Sequence, residues 1–139
     1  MTPQEKGSST TTDLLLGGRV KIVQPQEGYR VAVDPILLAA SITLPPSATV
    51  LDVGCGTGGA LFCLLSRLDT VRGVGLEQHG PFADLARRGA DENDFAKRAE
   101  IVTGNLAVPP KDWAASFDAV MTNPPFFEAG TVPSRPGQD

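Results

Sequence analysis

Two short stretches of this sequence combine residue types and spacings that can do chemistry. The first, Val50-Leu51-Asp52-Val53-Gly54-Cys55-Gly56-Thr57-Gly58-Gly59, runs from an apolar segment into a glycine-rich turn. Gly54, Gly56 and Gly58 let the backbone take conformations that a side chain forbids and let a ligand come close. The turn satisfies the dinucleotide fingerprint G-x-G-x-x-G, so a dehydrogenase binding NAD is one reading. Asp52 favours another, because a carboxylate just ahead of the turn repels a pyrophosphate and attracts a cationic ammonium. Glu77 stands 19 residues beyond Gly58, at the end of the next apolar run, where an acidic side chain can accept hydrogen bonds from both ribose hydroxyls. Adenosine joined to an amino acid therefore fits better than a dinucleotide. The second stretch, Asn123-Pro124-Pro125-Phe126, follows the apolar run Phe117 to Thr122. Open α/β sheets hold their ligands at the carboxyl ends of strands, so cofactor and substrate would meet where these two turns come together.

The elements that must position these turns follow from periodicity. Val50 to Val53 predicts a buried strand, and Ala60 to Leu68 a helix with Leu61, Leu64, Leu65 and Leu68 on one face. Val71 to Leu76 predicts a second strand. Pro81 to Ala99 predicts a charged helix with Phe82, Leu85, Ala86 and Phe95 as its apolar stripe, and Glu100 to Thr103 and Phe117 to Thr122 two further strands. This alternation predicts an α/β fold, a Rossmann-like doubly wound parallel sheet, because right-handed crossovers allow little else.

Ahead of it, Gly18 to Val23 and Tyr29 to Val33, separated by Gln-Pro-Gln-Glu-Gly, predict a hairpin, and Asp34-Pro35 opens a helix capped by Asp34 and ended by Pro45-Pro46. Residues 1–13, rich in Ser and Thr, read as a disordered arm, 14–47 as the hairpin and helix, 48–127 as the ligand-binding domain and 128–139 as loop or disordered tail. Four parallel strands leave a long pairing edge open. The expectation is the front portion of a longer polypeptide, its sheet truncated after the fourth strand, with that edge available for a homodimer.

Composition narrows the classes. The 139 residues bound one domain, and a net charge of −4 with a pI near 4.9 argues against a generally basic, nucleic-acid-coating surface without excluding an RNA or DNA substrate. Two cysteines and one histidine supply no metal-ligand cluster, and Cys55 and Cys63 read as reduced packing thiols of a cytoplasmic protein. No apolar run approaches the roughly 20 residues that span a bilayer. His79 is expected at the start of a surface helix and Asp118 as an edge carboxylate, neither with a catalytic role.

Asp52 to Gly58, Glu77 and Asn123-Pro124-Pro125-Phe126 together resemble the motifs of class I S-adenosylmethionine-dependent methyltransferases, specifically the group that methylates planar amino nitrogens. The resemblance spans roughly Gly18 to Phe127. It implies that Asp52, Gly54, Cys55, Gly56 and Gly58 hold the methionyl part of the cofactor, Glu77 with Gln78 the ribose, and Gly104, Asn105 and Leu106 the adenine. Many relatives carry Asp at the position of Asn105, but an amide can still exchange hydrogen bonds with the adenine amino group.

Asn123 also counts among the cofactor residues, and its chemical role has a reason. An amine conjugated with a ring is a poor nucleophile because its lone pair is delocalised. Asn123 Oδ1 and the Pro124 carbonyl can accept its two hydrogens and favour the pyramidal, positively charged transition state, while Pro125 stiffens the turn and Phe126 stacks on a flipped-out base. Upstream, Gly28-Tyr29-Arg30, Asp34 and Leu37-Leu38-Ala39-Ala40 resemble the segment preceding the cofactor turn in adenine-N6 methyltransferases of a valine tRNA. That implies a tRNA or other RNA partner, with Arg30 and Asp34 near the cofactor and S-adenosylhomocysteine as product. Two alternatives accompany it: a protein glutamine or DNA adenine substrate, and a cofactor-binding module that needs a further half or a partner to act.

Overall fold

The computed structural model describes residues 9–28 and 31–124. The expected tail at 128–139, most of the expected arm at 1–13 and the Tyr29-Arg30 pair lie outside the described residues.

The described residues open on an antiparallel hairpin, β1 (Thr10–Leu15) with β2 (Val20–Pro25), turned by Gly17 and Gly18 at positive φ. This corrects the expected pairing of Gly18–Val23 with Tyr29–Val33. The partner of the Val20 strand is Thr10–Leu15, part of which read as disordered arm, and Val31 to Val33 belong to no strand. Three consecutive threonines are polar enough to suggest disorder but are also β-branched and β-prone. Gly17-Gly18, flanked by leucines and a valine, supplies the positive φ a tight hairpin needs and outweighs the later Pro-containing turn.

Helix α1 (Asp34–Ser41) follows. Val33 occupies the cap position, so Asp34 is the first helical residue rather than the cap, and Pro35 sits in the first turn, where its missing N–H costs nothing. The helix stops at Ser41, ahead of Pro45, and the Arg67 guanidinium donates to the carbonyls of Ala39 and Ile42 at its end.

The expected alternation then appears: β3 (Thr49–Val53), α2 (Gly59–Arg67), β4 (Arg72–Glu77), α3 (Gly80–Glu92), β5 (Ala99–Thr103) and β6 (Ala119–Thr122). The four strands form one sheet in the order β5-β4-β3-β6, every neighbouring pair parallel. Helix α3 ends seven residues before Ala99, where the sequence pattern extended it. Asn93 breaks it: its side-chain amide donates to the Gly89 carbonyl and to Lys21 O, both at 2.7 Å, and accepts from Lys21 N–H at 2.7 Å. Phe95 then folds back, its N–H on the Ala90 carbonyl, and its ring packs 6.0 Å from that of Phe62. Arg98 donates to the carbonyls of Leu65, Leu68 and Val71, satisfying acceptors at the end of α2 and in the turn after it.

Helix α2 is buried from Gly59 through Leu65. It approaches β4 closely because Gly73 lacks a side chain; a Cβ there would lie 2.4 Å from Leu61. Helix α3 meets α2 through another small residue, since a Cβ on Gly89 would lie 2.7 Å from the Phe62 ring. Val20 and Ile22 of β2 are buried in the same core. On the opposite face of the sheet, Leu51 and Val120 line an open groove with Trp113 and Phe117, whose rings meet edge to face at 5.5 Å. Strand β6 starts at Ala119, so Asp118 lies just before it and not inside it; it is exposed at this edge, as expected, and it accepts from Thr49 N–H and donates its own N–H to Thr49 O, both at 2.8 Å.

Candidate functional site

The strand order decides what can meet. After β3 the chain moves outward through β4 to β5, then returns to place β6 on the other side of β3. The point where the order reverses, between β3 and β6, is where open α/β sheets leave a crevice at their carboxyl ends. Asp52 and the glycine turn leave β3 there, Asn123 follows β6, Glu77 ends β4, and Gly104-Asn105 follow β5. All four expected sites therefore lie along one end of the sheet.

The turn is pinned in place. The N–H groups of Gly54 and Cys55 both donate to the Leu76 carbonyl, at 2.8 and 3.0 Å, and Gly104 N–H donates to Glu77 O at 3.0 Å. Gly54, Gly56 and Gly58 all have positive φ, as expected. They are not equivalent, because a Cβ on Gly54 would meet nothing within 4 Å, whereas one on Gly58 would lie 2.3 Å from the Phe62 ring. Gly54 leaves an open side for a ligand, and Gly58 lets α2 begin against its own first turn. Gly58→Ala is expected to cost about 3 kcal/mol, from a left-handed φ of 100° and a forced shift of a fully buried ring, measured by urea unfolding.

Asp52, Gly54, Cys55, Thr57 and Asn123 line a single cleft with Val31, Pro35, Gly59 and Ala60. Asp52 is 2% exposed, and burial, followed by repulsion from nearby Glu77, pushes its carboxyl from 3.8 up to about 7. A buried carboxylate of this kind recovers its charge when a cation comes to it. The Thr57 hydroxyl, in a residue 1% exposed, has no hydrogen-bond partner among the described residues. Burying a hydroxyl unbonded costs roughly 1–3 kcal/mol, so such an atom beside a cleft marks a place where a ligand's polar group fits.

Other expected residues fall into place unevenly. Glu77 is half-buried at its strand end, while Gln78, Leu106 and Pro124 are exposed. Asn105 Oδ1 accepts from Ala107 N–H at 2.9 Å, which holds the loop and leaves the amide hydrogens for a ring nitrogen. Asp34 is exposed, and Pro35, its neighbour, lines the cleft instead. Cys55 is buried, and burial followed by repulsion from Asp52 drives its thiol far above the ordinary range; burial also raises Cys63, to about 11. Both are packing thiols and not nucleophiles. His79 is exposed, its ring against Phe82. Arg30, Pro125 and Phe126 lie outside the described residues. Thr57, Val31 and Pro35 were not among the expected site residues. Thr57 stands inside the motif and was legible by its position, whereas Val31 was expected in a hairpin strand and Pro35 only as the opening of a helix.

No group of three or more potential metal ligands occurs among the described residues, and none of their helices is long and apolar enough to cross a membrane.

The methyltransferase small domain family model matches residues 30–135. Curated relatives include a tRNA1(Val) (adenine(37)-N6)-methyltransferase of Cronobacter sakazakii, 26% identical over 111 residues, covering 79% of this chain and 45% of the relative. A release factor glutamine methyltransferase of Agrobacterium fabrum is 28% identical over 122 residues, covering 86% of this chain and 40% of the relative. The chain thus spans less than half the length of these two relatives. Among solved structures, a predicted O-methyltransferase from Agrobacterium tumefaciens superposes with a TM-score of 0.58 at 25% identity, covering 67% of this chain and 49% of that one. With the family match spanning most of the chain, the glycine turn, Glu77 and the parallel sheet all lying within the matched residues, the chain belongs to the methyltransferase small domain family, within the S-adenosylmethionine-dependent methyltransferases.

Proposed function

We propose that this domain binds S-adenosylmethionine across the carboxyl ends of β3, β4 and β5 and that Asn123 presents to it an exocyclic amino nitrogen, adenine N6 of tRNA or another RNA. The observation that carries this reading is the shared cleft of Asp52, Thr57 and Asn123 at the ends of adjacent strands. The residues fit the cofactor. A buried carboxylate answers an ammonium, the Thr57 hydroxyl, without a partner among the described residues, answers a carboxylate, and the open side of Gly54 admits a chain close to the backbone. Bound there, S-adenosylmethionine supplies a methyl group on a positively charged sulfur.

The chain's own residues do the rest. Glu77 accepts from the ribose hydroxyls, and Gly104, Asn105 and Leu106 flank the adenine. Asn123 Oδ1 and the Pro124 carbonyl accept the two hydrogens of the substrate amine, which holds its lone pair toward the methyl and offsets the positive charge that grows on nitrogen. The tRNA relative supports an RNA adenine. A glutamine side chain carries a planar nitrogen of the same kind, and the release-factor relative supports that alternative.

Calorimetric titration of the chain with S-adenosylhomocysteine, with NAD as control, tests the cofactor: the first is expected to bind and the second is not. The reverse result would restore the dehydrogenase reading. Transfer of labelled methyl to unmodified tRNA, compared with a release factor, then separates the two substrates. Glu77→Ala is expected to weaken S-adenosylhomocysteine binding roughly 10–100-fold, the effect of losing charge-assisted hydrogen bonds that partial exposure to water weakens. An unaltered dissociation constant would remove Glu77 from the site.

A further inference from the structure

Strand β2 turns Val20, Ile22 and Gln24 to one side, and the two aliphatic residues are fully buried. Gln24 is itself only 4% exposed, and a side-chain amide in such a place is costly unless both its ends are bonded. They are: Nε2 donates to Asp13 Oδ2 at 2.7 Å, and Oε1 accepts from Val31 N–H at 2.9 Å. The Asp13 carboxylate, which also accepts from the Thr11 hydroxyl at 2.7 Å, takes the donor end and leaves the carbonyl end to Val31.

Val31 lies in no helix or strand, so no ladder holds it. Its side chain packs on the start of α2, where a Cβ on Gly59 would lie 2.9 Å from Val31 Cγ1. Val31 and Gly59 line the cleft of Asp52, Thr57 and Asn123. We infer that Gln24 is a positioning residue of this site: it holds the Val31 wall against Gly59 and so sets the shape of the cleft around the amino-acid end of the ligand. The inference rests on the S-adenosylmethionine reading and assigns the hairpin a part in it.

The test compares the full chain with Gln24→Leu and with Asn93→Ala, which cuts the hairpin's side-chain tie at Lys21 without involving Val31. Gln24→Leu is expected to bind S-adenosylhomocysteine roughly tenfold more weakly and to exchange the Val31 amide hydrogen roughly tenfold faster. Asn93→Ala is expected to lower the unfolding temperature and leave the dissociation constant unchanged within about twofold. Equal weakening by both variants, or normal binding by Gln24→Leu, would overturn the inference. If the unaltered chain itself took up no S-adenosylhomocysteine, the cofactor reading would fail, and the wall would be judged by Val31 exchange alone: acceleration in Gln24→Leu supports it, and no change overturns it. Gln24→Glu guards against misfolding of the leucine variant. It keeps the acceptor for Val31 and loses the donor to Asp13, so its binding deficit relative to the unaltered chain is expected to shrink as pH falls and the new carboxyl regains a proton. A deficit independent of pH would count against the bridge.

Discussion

Asp52→Asn is expected to raise the stability of the ligand-free chain near neutral pH while weakening S-adenosylhomocysteine binding by about a hundredfold or more. The two effects share one cause. Burial, then repulsion from Glu77, raises the Asp52 carboxyl from 3.8 to about 7. Between about pH 4 and pH 7 the folded chain keeps a proton that the unfolded chain has lost, so this group's contribution falls as pH rises through that window, by at most about 1.4 kcal/mol per pH unit. Above about 7 both states are ionised and the cost no longer changes, having reached the order of a few kcal/mol. Asparagine has nearly the same shape and no charge to bury, so the variant's urea midpoint loses this fall.

A bound ammonium reverses the sign. It favours the ionised form, so binding tightens as pH rises through about 7, and near pH 6 it expels a proton from Asp52. Calorimetry in buffers of different ionisation enthalpy would count that proton. A variant that melts lower than the unaltered chain and binds as tightly would show that Asp52 serves the fold and not the ligand.

How much of this was legible in the sequence depends on which interactions are local. The glycine turn was, because Gly54, Gly56 and Gly58 need positive φ and the strand before them, Thr49–Val53, is apolar apart from Asp52 and its first residue. The placement of Glu77 and Asn123 at one end of the sheet was, because Glu77 ends a strand, Asn123 follows one, and the parallel sense of these strands follows from the alternation. The length of α3 was not. The apolar spacing continues through Phe95, but Asn93 finds its partners in Lys21, 72 residues away, and a long-range amide pair leaves no periodic trace. The same holds for Thr57, whose hydroxyl lacks a partner among the described residues because of its surroundings, and for Val31, whose N–H is held in the cleft wall by Gln24. The hairpin was misplaced because polar, β-branched threonines carry two signals at once, and pairing with β2 selects the second.

Asn123 carries the other large expectation. Asn123→Ala is expected to lower methyl transfer to unmodified tRNA by roughly 10²–10³-fold, the usual loss when one preorganised partner of the developing charge is removed. S-adenosylhomocysteine affinity should change by less than about threefold, because Asp52, Thr57 and Glu77 remain. Retained transfer at unchanged cofactor affinity would sink the assigned role. Asn123→Asp separates geometry from charge. It keeps an acceptor oxygen in place, but its carboxylate shares the cleft with Asp52, and two like charges there cannot both ionise easily. Asp52 would then hold its proton to a higher pH, so the rise of S-adenosylhomocysteine binding with pH should move upward from about 7. A profile that stays where it was would mean that Asn123 and Asp52 do not face the same ligand, and the shared cleft would no longer support a joint role for them.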